Sequence, residues 1–238
     1  MNLPSLPFMP LLGLCALTAC ASAGELLRPL ARPESPVPAF SSGFRIDRDQ
    51  TIVIFGGANA AECQRNGWLE TRLISAHPNH RLRLRNLAWP TDTVYRQSRP
   101  RNFFSVTPPD YGEKDGRVPL HADLAFLWFG QMESLAGRDR LPDFRAAYDD
   151  LVDQLSAYTR RIVLVTPAPF EDPLGLGFDL PKRNGDLAGY AAAIREIAAR
   201  RRLPVVDLTS ALKGQTVTAD GVMLSEAGHQ AAALTFAQ

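Results

Sequence analysis

The sequence predicts an α/β protein, a three-layer α/β/α flavodoxin-like sandwich around a five-stranded parallel sheet. Three observations predict it. Five short strand-like runs are spaced between residues 51 and 208, most of them apolar without a break. Stretches with apolar residues at intervals of three and four alternate with them. Most runs stop at glycine, proline or a polar turn sequence.

Each element has its own signal. TIVIF at 51–55 is a continuous apolar run halted by Gly56 and Gly57, which predicts a strand buried on both faces. Residues 60–76 have helical spacing, with Trp68, Leu69 and Leu73 on one side. A second strand is predicted over 81–88, where alternating Arg81, Arg83 and Arg85 read as a solvated sheet edge. The third, 122–129, stops at Gly130. Phe144, Tyr148, Leu151, Leu155 and Tyr158 recur at three and four and predict an amphipathic helix over 143–159. The fourth strand, 161–166, is stopped by Pro167, and a helix over 185–201 carries Leu187, Tyr190, Ile194 and Ile197 on one face. A fifth strand covers 203–208, and the last helix, 225–236, takes Ser225 as its cap. Strands joined through helices give right-handed crossovers, and ligands in such folds sit at the carboxyl ends of the strands. The loops to search are therefore 56–59, 88–92, 130–133, 167–179 and 218–223.

The chain of 238 residues is ample for one such domain. Its 26 basic and 25 acidic side chains leave a net charge of +1, so charge gives no reason to expect nucleic acid or an anionic membrane surface as partner. Residues 1–20 are short, apolar and broken by proline, and read as an export signal. Leu17-Thr18-Ala19-Cys20 resembles a bacterial lipoprotein box, with Cys20 as the lipid attachment point and the only membrane contact. Ala21-Ser22-Ala23 is an ordinary cleavage site in the alternative. The expected location is outside the cytoplasm, as a periplasmic or outer-membrane lipoprotein or as a secreted protein. Residues 21–48 form a Pro/Ser-rich linker and 49–238 the folded domain. Cys15 leaves with the signal, so Cys63 stands alone as a buried inert thiol without a disulfide.

The loops carry a resemblance. GGANAAECQRNGWLETRL, RNLAWPTDTV, FGQMESLAG and DGVMLSEAGH stand, in order, where the SGNH or GDSL-type hydrolases have Gly-Asp-Ser, a glycine loop, Gly-x-Asn and Asp-x-x-His. The wording looks closest to a divergent branch in exported proteins of planctomycete-like bacteria. There the first block tends to read Gly-Asn-Thr-Leu and the third Gly-Phe-Asn-Glu-Ser. The resemblance implies a serine nucleophile, a histidine base held by an aspartate, and oxyanion donors from a serine amide, a glycine amide and an asparagine.

Those places fall on residues of different chemistry. The nucleophile falls on Ala58, or on Asn59 if the register slips by one. The oxyanion glycine falls near Thr91, the asparagine on Met132 and the histidine on Met223, while Asp220 keeps the aspartate place. A methyl, a carboxamide and a thioether neither attack nor take a proton. The resemblance therefore implies a cell-envelope protein of the hydrolase fold that binds a ligand or partner without catalysis. The alternative is an active esterase or carbohydrate deacetylase using other groups. In the noncatalytic reading, Asp220 has no base to orient and instead caps the chain entering the last helix or bonds loop amides.

The expected pocket lining is Gly57, Ala58, Asn59, Thr91, Asp92, Gly130, Gln131, Met132, Glu133, Asp220 and Met223, with Trp89 and Phe129 as further apolar walls. It suits a glycan or an acylated small molecule, and Met132 and Met223 read equally as fillers of vacated space. If their loops meet, Asp92, Glu133 and Asp220 make a three-carboxylate cluster for a cation or for acid–base work on a sugar. No cofactor and no metal are expected, since His77, His80 and His121 lack ligand spacing. His229 falls well inside the last helix, turned away from the site. Ser134 faces the pocket without a base. Arg99 and Arg101 read as a structural loop or an anion site.

Overall fold

The sheet is built from the runs that bury both faces. In the computed structural model, which describes residues 45–97, 105–106, 118–119, 122–156, 159 and 161–237, Ile52, Val53, Ile54 and Phe55 of strand β1 (Thr51–Gly56) are all buried. So is every residue of β5 (Leu124–Trp128) and β6 (Ile162–Val165). These three strands lie at the centre of a parallel sheet of order β2-β1-β5-β6-β7. The edges are β2 (Arg83–Asn86) and β7 (Val205–Val206). Arg83 and Arg85 alternate outward on β2, as a solvated edge requires. A separate antiparallel pair, β3 (Ser105–Val106) and β4 (Val118–Pro119), has no counterpart among the predicted elements. Tyr158, His121, Arg99, Arg101, the signal with Cys15 and Cys20, and linker residues 21–44 lie outside the described residues.

Helices cover both faces. On one side, α4 (Leu141–Leu155) and α5 (Leu180–Arg201) pack Phe144, Tyr148, Tyr190 and Ile194 against Val53, Phe55 and Leu127. The buried Tyr148 hydroxyl donates to Leu127 O at 3.0 Å, so the ring enters the core without a stranded polar atom. On the other side, α1 (Ala58–Asn66), α2 (Trp68–Ala76) and α7 (Glu226–Phe236) cover Ile52, Ile54, Phe126 and Trp128. Two four-residue helices, α3 (Gln131–Ser134) and α6 (Leu208–Ala211), and a 3-10 turn over Arg138–Arg140 fill the connections.

Two departures from the expected helix boundaries have local reasons. The single helix expected over 60–76 is two, because Gly67 takes φ 68° and closes α1 with its amide on Cys63 O at 3.1 Å. Helix α5 starts five residues earlier than 185, at Leu180. Asp179 caps it by accepting from Lys182 N at 3.0 Å, and Pro181 sits in its first turn. Ser225 caps α7 as expected, accepting from Gly228 N at 3.1 Å. Gly56 is fixed by crowding: a Cβ there would lie 2.5 Å from both Ala60 Cβ and Trp128 O.

The two ends of the sheet are tied differently. At the amino ends, Arg161 Nη1 donates to Arg45 O at 2.7 Å and Arg161 pairs with Asp47, so residues 45–47 are held there. At the carboxyl end of β6, Asp207 accepts from Thr166 Oγ1 at 2.8 Å and forks to Arg195 of α5 at 2.9 and 2.8 Å. Partial burial opposes the Asp207 charge, but Arg195, Ser210 and Thr166 outweigh it and hold the carboxyl down at about 2, against 3.8. A carboxylate lowered in this way adds stability that is complete above about pH 3.8 and is lost as the pH falls through about 2. After discounting for its one-third exposure, Asp207→Asn should cost about 1–2 kcal/mol at neutral pH. Urea midpoints should show that deficit shrinking as the pH falls from 4 toward 2.

Candidate functional site

The carboxyl-end loops meet around one side chain. β1 runs into Gly57, which is extended and precedes α1, so Ala58 and Asn59 open the helix directly beneath the loop after β7. Asn59 is 4% exposed. Its Nδ2 donates to Gln131 Oε1 at 2.8 Å and to Val222 O at 3.0 Å, and its Oδ1 accepts from Leu224 N at 2.8 Å. Gln131 Nε2 reaches Val222 O at 3.1 Å and Ala168 O at 3.3 Å. The loops after β1, β5, β6 and β7 are thus laced together by two carboxamides.

Glu133 is a structural acid. Its Oε2 accepts from Gly130 N and its Oε1 from Val94 N, both at 2.9 Å. Burial raises its carboxyl above the usual range, and the Val94 and Gly130 amides oppose that shift. Asp220 lies on an exposed turn, where Oδ1 accepts from Val222 N at 2.9 Å and Met223 N at 2.7 Å. Those two amides lower its carboxyl below the ordinary value. The three-carboxylate cluster does not form: Glu133 faces inward to amides, Asp220 faces its own turn, and no group of three or more potential metal ligands occurs among the described residues.

The expected pocket divides. Gly57, Ala58, Asn59, Asp92, Gly130, Gln131, Met132 and Glu133 surround one cavity of about 20 Å³, with Phe129 in the same wall. That volume holds roughly one water molecule. Thr91, Asp220 and Met223 are outside its lining. Met132, 44% exposed, and Trp89, 45% exposed, stand at the surface, so neither plugs the interior. Asp92 is buried, and its amide donates to Trp89 O at 2.9 Å. The Ser134 hydroxyl donates to Gln131 O at 2.7 Å within its own turn. Among the described residues no hydroxyl is hydrogen-bonded to a histidine.

His229 is a packing residue turned away from the cavity. It is 3% exposed, and its Nδ1 lies 3.6 Å from Cys63 Sγ, because α1 and α7 pack side by side. Burial pushes the Cys63 thiol up to about 12 and lowers the imidazole below its ordinary value. The pair is a neutral thiol beside a neutral ring, which is the unreactive form.

Glu171 was missed at the sequence level. It accepts from Val217 N at 3.0 Å and Thr218 N at 2.7 Å, and the Thr218 hydroxyl donates to it. Its own amide donates to Gly221 O at 3.0 Å, and Gly221, at φ 97°, has no room for a Cβ against Glu171 O. The signal was an acidic pair, Glu171-Asp172, among prolines in a carboxyl-end loop.

Residues 52–231 match the sequence profile of the GDSL-like lipase/acylhydrolase family. No curated protein matches the chain. An acetylxylan esterase from Geobacillus stearothermophilus superposes with TM-score 0.61 at 17% identity, covering 81% of this chain and 94% of that one. A lipase/acylhydrolase from Enterococcus faecalis gives 0.56 at 19%, covering 79% and 93%. The acetyl xylan esterase AlAXEase gives 0.57 at 17%, covering 78% and 97%. Likeness at this identity establishes the fold.

Asn59→Ala leaves the buried Leu224 amide and the part-buried Gln131 Oε1 without their partner, while Val222 O keeps Gln131 Nε2, so urea unfolding should show a loss of about 2–4 kcal/mol, with faster hydrogen exchange at the Leu224 amide. Asp220→Ala, on an exposed turn, should cost no more than about 1 kcal/mol.

Proposed function

Because the chain belongs to the GDSL-like lipase/acylhydrolase family, we propose that it is a noncatalytic member, a cell-envelope protein that binds a ligand or partner on a hydrolase scaffold. One observation carries this reading. Where the family's chemistry needs a nucleophile beside open space, a methyl and a fully engaged carboxamide border a cavity of about 20 Å³. An ester with any acyl group needs more room than one water.

Other features support the reading. Solved forms of the Geobacillus esterase described as catalytic mutants replace a serine, an aspartate or a histidine by alanine, the last two three positions apart. Asp220 and Met223 keep that spacing, but a thioether accepts no proton at neutral pH. Serine hydrolases stripped of the whole triad retain only what binding and electrostatics supply. The neutral Cys63–His229 pair is no substitute.

The export signal and the lipoprotein-like Cys20 motif support a location in the envelope. The block wording supports placement in the divergent exported branch. A glycan or acylated molecule is the ligand class proposed, with no cofactor.

The competing reading, an active esterase or carbohydrate deacetylase, draws on the acetylxylan esterases among the structural neighbours. The full chain assayed with p-nitrophenyl acetate and acetylated xylan separates the two. The expected result is no hydrolysis above buffer. Robust turnover abolished by Asp220→Ala would overturn the noncatalytic reading.

A further inference from the structure

A groove of about 740 Å³ lies between the β6–α5 loop, one face of α5 and the turn after α6. Its size is in the range of small-ligand pockets. Part of its wall is apolar: Phe170, Pro173, Leu187 and Ala188. Its two acids are already engaged by backbone. Glu171 takes the Val217 and Thr218 amides, and Asp172 accepts from Leu176 N at 2.7 Å and Gly177 N at 2.8 Å.

The cations are less committed. Arg195 gives Nε and Nη2 to Asp207, while its Nη1 has no hydrogen-bond partner among the described residues. The Lys213 ammonium has no ion pair or hydrogen bond among them either. Glu171 and Asp172 keep their negative charge, so the groove carries no net positive charge; the uncommitted cationic donors, the Lys213 ammonium and Nη1 of Arg195, are local and adjoin an apolar wall.

We propose that this groove binds a small organic anion, a carboxylate carried on an apolar body. The carboxylate is received by Lys213 and the free edge of Arg195. The body lies against Phe170, Pro173, Leu187 and Ala188. Lys213 supplies the charge complementarity, and displaced water along the apolar wall supplies the rest. The inference goes beyond the noncatalytic reading and stands apart from it, because the groove's lining shares no residue with the small cavity.

Calorimetric titration of the full chain with octanoate tests it, with acetate lacking the apolar body and octanol lacking the charge. Octanoate should bind saturably, and each control should bind at least about tenfold more weakly. Lys213→Met keeps the stem and removes the charge, and should weaken octanoate about tenfold. Ala188→Trp grows from an exposed position into the groove and should abolish binding with an unchanged circular-dichroism spectrum. If that variant misfolds, Lys213→Met, at an exposed site, decides the matter. No saturable octanoate binding, equal binding of octanol, indifference to Lys213→Met, or binding that survives in folded Ala188→Trp would overturn the proposal. Because the readout is binding, its failure leaves the hydrolysis assay untouched, and the reverse also holds.

Discussion

One buried carboxamide sets the geometry of the whole carboxyl end of the sheet. Asn59 uses its donors on Gln131 and Val222 and its acceptor on Leu224, so three loops far apart in the chain share one rigid knot. Such a group is costly to bury alone and specific when fully satisfied. Once it is in place, the space around Ala58 closes to about the size of a water molecule. The β7–α7 loop must also follow a fixed course. Glu171 reinforces that course from the other side by holding Val217 and Thr218, and Gly221 is the residue that lets the two strands of loop approach. Loops that could have framed a cleft serve as a clasp.

The charge states follow the same logic. A hydrolytic site sets a base near neutrality beside a hydroxyl it can deprotonate. Here the buried imidazole is held neutral against a thiol pushed up to about 12, and the buried Glu133 carboxyl is given to two amides. Both arrangements stabilise packing between helices and loops. The sheet beneath is unaffected, because its core strands bury both faces independently of what the loops carry. A fold can keep its architecture while its loop chemistry changes. Among the described residues, the Lys213 ammonium and Nη1 of Arg195, along the groove by α5, keep donors uncommitted.

The fold was largely legible because its signals are local. TIVIF stopped by two glycines, alternating arginines on an edge strand, and Ser225 ahead of a helical run each encode their structure within a few residues. Boundaries failed where a single residue overrode periodicity: Gly67 broke a helix, and Asp179 with Pro181 began one early. Which carboxyl-end residues share one cavity was legible in part, and their hydrogen-bond partners were not. Asn59 and Leu224 are 165 residues apart, and Cys63 and His229 are 166 apart. No periodicity reports contacts at that range, so neither the ties made by Asn59 nor the Cys63–His229 contact could be read. Glu133 read as a polar wall because its two amide partners come from separate loops. The groove escaped notice for the same reason, being assembled from three segments that carry no motif.

The account turns on whether any serine in the folded chain is activated. Intact mass spectrometry after incubation with a fluorophosphonate, which labels only activated hydroxyls, asks this without choosing a substrate. An unmodified mass is the predicted result. A stoichiometric adduct on one serine, lost in Asp220→Ala, would contradict it.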